Sequence, residues 1–248
     1  MTFQFTVSPD FTPDHLSGWY IFNTWLQKAV DLHIHLHIYD DFHQQRDAIQ
    51  NDRVDLIYAN PFDAAMLVRE KGFRALARPA GKADEAVVCV AESSPCQKVE
   101  ELRPGIRLAT TDDPDVHLMG MIMLEPADLS ADNITMVPCD TYVLVAKELI
   151  KGTSEVGIFL QEAYNDLSSI IRRQLRVLVS GQIQLVHHCL MVGPNLLPHR
   201  EQLLQALLGM GTDPKGPGVL EALKFSCWEA VDDEEAEFMI DLMDTLNT

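Results

Sequence analysis

The chain has 248 residues, 47% of them hydrophobic, and its 19 basic against 37 acidic side chains give a formal charge of −18. That length can bury a full core as one large domain or two lobes, and the charge argues against nucleic acid or an anionic membrane surface as partner. No stretch approaches the ~18 uninterrupted apolar residues of a membrane span, so no membrane insertion is expected.

The opening MTFQFTVSPD shows no basic and then apolar leader, so the chain as written is expected to be cytoplasmic; trimmed from a longer precursor, it would be periplasmic. Phe3–Val7 reads as a strand and His15–Val30 as a helix with apolar residues at helical spacing. Strand Leu32–Tyr39, helix Phe42–Gln50, strand Val54–Ala59, helix Pro61–Lys71 and strand Arg74–Ala77 follow. Proline at the first helical position, as in Asn60-Pro61, is a normal helix start. This rhythm calls for a parallel sheet covered by helices.

A second series begins with the strong strand Glu85–Val90 and a strand at Ile106–Ala109. Helix Pro114–Leu124, strand Ile134–Val137, helix Asp140–Lys151 and strand Val156–Phe159 continue it. Beyond Ser168 a helix leads into strand Leu175–Val179 and the long apolar run Ile183–Val192. Helices Pro198–Leu208 and Trp228–Leu246 flank a loop rich in Gly and Pro at Gly211–Gly218. The acidic run Val231–Glu237 reads as a solvated first helical turn, where carboxylates suit the dipole. Five cysteines without a C-x-x-C spacing argue against a disulfide framework or a structural zinc site. Cys139, near a helix start, reads as a plain buried thiol.

Several of these segments carry a family resemblance. They are Phe5-Thr6-Val7-Ser8-Pro9, Tyr39-Asp40-Asp41-Phe42 and the more specific Val54-Asp55-Leu56-Ile57-Tyr58-Ala59-Asn60-Pro61. Glu85–Val90, Ile106–Thr111, Arg176–Ser180 and Asp213-Pro214-Lys215-Gly216 complete the pattern. The chain resembles the phosphate/phosphite/phosphonate-type solute-binding proteins of ABC transporters, across nearly its whole length. The resemblance implies the type II periplasmic-binding-protein fold: two α/β lobes, each a mainly parallel sheet flanked by helices, with crossover hinge strands. Lobe one would take residues 1–84, lobe two 85–184, and residues 185–248 would return to lobe one and the C-terminal helices. The crossing strands would lie near Glu85–Val90 and Ile183–Val192, with closure around a small solute in the inter-lobe cleft.

Expected ligand contacts are Ser8, Tyr58 and Asn60, which stand at strand ends where open α/β sheets bind ligands. In lobe two they are Thr110, Thr111, Asp113, Asp140 and Thr141. Family members grip an anion there with Ser and Thr at a helix N-terminus. Thr110 and Thr111 fit that chemistry, whereas the carboxylates of Asp112, Asp113 and Asp115 depart from it. Asp113 is expected to cap the helix that starts at Pro114 and so to occupy the donors an anion needs. The pocket is therefore expected to prefer a neutral or cationic polar solute over phosphate or an alkylphosphonate.

The stretch LHIHLHIYDDFH, from Leu32 to His43, puts His33, His35 and His37 on one face of a strand. No further ligands converge with them, so the reading is a histidine-bearing face partly covered by helix, without a metal. His187 and His188 should point to opposite sides of a crossing strand. No nucleophile–base set or cofactor motif is recognisable, so no cofactor is expected. The expected function is a binding module for a small polar solute, serving a permease or a sensor protein. The alternative is a cytoplasmic enzyme on the same fold, of the menaquinone- or thiamine-precursor type.

Overall fold

A computed structural model of the chain describes residues 2–10 and 13–246. The strands are β1 (Phe3–Val7), β2 (Ile34–Leu36), β3 (Leu56–Ala59), β4 (Arg74–Pro79), β5 (Ala86–Ala91) and β6 (Arg107–Thr110). They continue as β7 (Thr135–Pro138), β8 (Val156–Leu160), β9 (Leu175–Ser180), β10 (Cys189–Val192) and β11 (Trp228–Ala230). The α-helices are α1 (Pro13–Val30), α2 (Phe42–Gln50), α3 (Pro114–Leu124), α4 (Tyr142–Lys151) and α5 (Gln161–Asp166). After them come α6 (Ser169–Arg172), α7 (Arg200–Leu208), α8 (Gly216–Leu223) and α9 (Asp233–Leu246). The chain divides into two compact units, Met1–Lys82 with His187–Leu242 and Ala83–Val186 with Met243–Thr248.

Unit 1 is built on a six-stranded sheet in the order β11-β4-β10-β3-β1-β2. β1, β2, β3 and β4 run one way; β10 and β11 run against them. Side chains alternate between faces, and both faces are buried, as a helix-covered sheet requires. Leu56 and Tyr58 of β3 join Phe5, Trp19, Phe22 and Leu220 on the side of α1, α7 and α8. Ile57 and Ala59 join Ile49, Leu67 and Ala236 on the other side.

Unit 2 has the five-stranded order β7-β6-β8-β5-β9. β6, β7 and β8 are mutually parallel, and β5 runs against both of its neighbours. α3 lies close against β8. A Cβ added at Gly120 would sit 2.6 Å from Ile158, so only glycine permits this approach.

Several sequence expectations change. Helix Pro61–Lys71 breaks into a 3-10 turn at Pro61–Asp63 and a π-turn at Met66–Glu70. The expected loop Gly211–Gly218 contains the start of α8. Trp228, expected inside a helix, opens β11, because Glu229 and Ala230 pair with Arg78 and Ala77 of β4. The long crossing strand Ile183–Val192 shrinks to β10, and residues 181–188 carry no regular structure. In place of a ladder, Gln184 N donates to the Glu85 carboxylate at 2.6 Å and Asp84 N to Val186 O at 2.8 Å. The acidic start of α9 is not merely solvated. Asp233 lies 3.5 Å from Arg74, Glu235 lies 3.2 Å from Arg78, and Glu237 lies 2.9 Å from Arg69.

β2 is an edge strand of its sheet, and only three of the expected residues pair. Ile34 and Leu36 point into the core, whereas His33, His35 and His37 are exposed rather than partly covered by helix.

Candidate functional site

In unit 1 the strand ends gather one polar cluster. Ser8 follows β1, and its N–H donates to Tyr58 O at 2.9 Å. Asn60 follows β3 and caps the 3-10 turn through Phe62 N, while its amide Nδ2 donates to Asp10 Oδ2 at 2.8 Å. His188 Nε2 meets the same Asp10 oxygen at 2.8 Å. The Ser8 hydroxyl is buried against the Asp10 carboxylate without a hydrogen bond of full geometry. Burial alone would raise the Asp10 pKa; His188, then Asn60 and Ser8, outweigh it and hold the carboxyl below its ordinary value.

Tyr58 supports this pair from beneath. Its ring stacks on His188 at 5.3 Å and 22°, and its other neighbours are Trp19, Phe225 and Trp228. Three expected residues, Ser8, Tyr58 and Asn60, thus come together, and Asp10 and His188 join them. His187 and His188 do not face opposite sides of a strand: both are buried, because they precede β10 rather than lie in it.

In unit 2 the expected residues collect at the carboxyl ends of β6 and β7. Thr110 ends β6, and its carbonyl accepts from Cys139 N at 2.9 Å. Asp113 is not the cap that its Asp-Pro spacing implies. Its side chain makes no capping hydrogen bond, and its Oδ2 accepts instead from the Tyr142 hydroxyl at 2.8 Å. The carboxylate has turned from its own helix toward the first residue of α4. Its backbone oxygen serves α3, accepting from His117 N at 3.0 Å. Asp115, in the first turn of the helix, is fully buried.

Tyr142 is pushed well above the ordinary phenol range, by burial first and then by Asp113, so it stays a donor. The Thr111 hydroxyl is buried beside this phenol without a hydrogen bond of full geometry. Thr141 is the cap of α4, accepting from Leu144 N, and Asp140 is exposed. Cys139 is half-buried rather than buried, and burial, Glu148 and Asp140 all push its thiol up.

Sequence reasoning missed Asp10 and Tyr142, and it singled out His188 only as a core or surface histidine. Asp10 adjoins the Ser8-Pro9 motif and could have been found there. His188 lies 178 residues away, and no spacing announces it.

The Tyr142–Asp113 bond makes a measurable claim. Tyr142→Phe removes the donor and leaves a buried carboxylate short of one partner, so about 1–3 kcal/mol of stability should be lost. Urea titration followed by far-UV circular dichroism will show it as a lower midpoint. An unchanged midpoint would mean that the bond contributes nothing net.

Residues 5–236 match the family model described as ABC transporter, phosphonate, periplasmic substrate-binding protein. No curated protein matches the sequence significantly. Among solved structures, the chain is similar to XAC2383 from Xanthomonas citri bound to ATP (18% identity, TM-score 0.81), covering 99% of this chain and 97% of that one. It is similar to PhnD1 from Prochlorococcus marinus in complex with methylphosphonate (12% identity, TM-score 0.84), covering 99% and 98%. A binding component of an ABC phosphonate transporter from Pseudomonas aeruginosa matches at 15% identity and TM-score 0.78, covering 100% and 89%. At such identities the likeness is one of fold, the type II periplasmic-binding-protein fold. Among the described residues no helix is long and apolar enough to cross a membrane.

Proposed function

The chain belongs to the family of periplasmic phosphonate substrate-binding proteins of ABC transporters, and on that premise we propose that its solute is neutral or cationic rather than a phosphonate dianion. Solute binding is the family's function, and the family consists of transporter components rather than enzymes. We read this chain the same way, as a binding protein that hands its solute to a permease.

The observation that supports the ligand class is the pair of carboxylates at the start of α3. Asp113 is 3% exposed and Asp115 0%. Each buried carboxylate carries a desolvation cost, which a cation or a hydrogen-bond donor would offset. An anion brought to ~4 Å would meet a repulsion of about 4 kcal/mol at an effective dielectric near 20. Helix N-termini favour anions by about 1 kcal/mol at most sites, so the carboxylates prevail. The Thr110 and Thr111 hydroxyls remain as neutral partners for a polar solute. Taken by itself, unit 1 offers Ser8 and Asn60, beside the Asp10 and His188 pair, as candidate solute contacts.

Calorimetry with phosphate, methylphosphonate, choline and agmatine decides between the charge classes. Phosphate and methylphosphonate should bind no tighter than about 1 mM, while at least one cationic probe should bind more tightly. Asp113→Ser should then improve methylphosphonate binding by removing a charge, not by freeing capped donors. Micromolar binding of methylphosphonate to the wild type would overturn the proposal.

A further inference from the structure

Unit 1 has a groove whose lining shares no residue with the Asp10 cluster. A groove of about 710 Å³ runs along α1 and the segment that leads into α8, lined among others by Tyr20, Ile21, Trp25, Lys28, Lys215 and Val219. Its volume lies within the ~300–1,000 Å³ range of small-molecule sites. Tyr20 and Ile21 leave 54% and 47% of their surface in water. One wall is fixed: the Trp25 indole N–H donates to Asp213 Oδ1 at 3.0 Å, and that oxygen also accepts from Lys215 N and Gly216 N.

Three charged side chains line the groove: Lys28, Lys215 and Asp213. The Asp213 carboxylate is taken up by the Trp25 and backbone N–H groups and held below its ordinary pKa, first by the Trp25 bond. The lysines are exposed, on a chain whose formal charge is −18. Apolar walls with cations at the lip complement one kind of molecule, an apolar body that ends in a negative charge.

We propose that this groove binds a small amphipathic anion, an aryl or alkyl carboxylate. Its apolar body lies against Tyr20, Ile21, Trp25 and Val219, and its carboxylate meets Lys28 and Lys215. The site is separate from the solute site proposed above and stands or falls independently of it.

The groove can be filled on purpose. Gly218 lines the groove, and a Cβ there would meet nothing within 4 Å, so the backbone accepts a side chain and Gly218→Trp brings an indole to the groove. Titration calorimetry on the full chain at low salt, with naphthalene-2-acetate and its uncharged amide as probes, tests the proposal. The acetate should bind about tenfold or more tightly than the amide. Lys28→Glu should weaken the acetate by about tenfold, and Gly218→Trp should abolish binding while thermal unfolding stays as in the wild type. Equal affinity for acetate and amide, or affinity unchanged in Gly218→Trp, would overturn the proposal. So would no heat up to about 5 mM probe, or a dimer in sedimentation that Gly218→Trp dissociates, since a second copy would then occupy the groove.

Discussion

Trp19→Ala is expected to cost about 3–5 kcal/mol, the range for deleting a large aromatic side chain from a packed core. Trp19 is 1% exposed and has Tyr58 at 4.6 Å, Phe22 at 5.5 Å, Phe225 at 5.9 Å and Phe5 at 6.1 Å between ring centroids. These partners come from β1, α1, β3 and the segment after α8, so one ring joins four parts of the sequence. Domains are typically stable by only 5–15 kcal/mol, so the loss is a large share of the whole. Guanidinium unfolding followed by circular dichroism will report it. A loss below about 1 kcal/mol would mean that the cluster repacks around the hole. Solute affinity should fall too, because Tyr58 contacts Trp19 and its ring also stacks on His188.

Acid should weaken the fold through His187. Burial, then the charges of Arg78 and His188, lower its pKa from 6.5 to about 4, against two backbone hydrogen bonds that raise it. A lowered histidine pKa means that the unfolded chain binds the proton more readily than the folded one. Stability from this group is complete above pH 6.5 and declines as pH falls from 6.5 towards 4, by about 3 kcal/mol in all. Asp10 acts in a lower window. Its pKa is held below 3.8, so its contribution is present above that value and lost only as pH falls through the folded-state pKa. Urea midpoints at pH 7, 5.5 and 4.5 should fall steadily in the wild type and much less in His187→Gln. Parallel curves for the two proteins would refute the assignment.

The alternation of strands and helices was legible because apolar runs, some alternating and some continuous, are separated by turn and cap signals. Phe3, Phe5 and Val7 alternate with polar residues, and α3 and α4 begin where proline and threonine signal a start. What escaped was set by distant partners. Trp228 and Val231 sit three apart and read as helix, but β4, about 150 residues earlier in the chain, pairs with Trp228–Ala230 and makes it a strand. Asp113 reads as a cap because Asp before Pro usually is one. A hydroxyl 29 residues away claims the carboxylate, and no local rule contains that hydroxyl. The Asp10–His188 pair is hidden for the same reason.

The exposed row of His33, His35 and His37 on the β2 edge has a practical bearing on any assay of metal content. Side chains two apart on a strand sit about 7 Å from one another, and imidazole is a good ligand for nickel and copper. The untagged chain should therefore stick to nickel-charged resin as though it carried an affinity tag, and it should leave the column with leached metal attached. Preparation by anion exchange, which the charge of −18 favours, keeps that artefact out of the measurement.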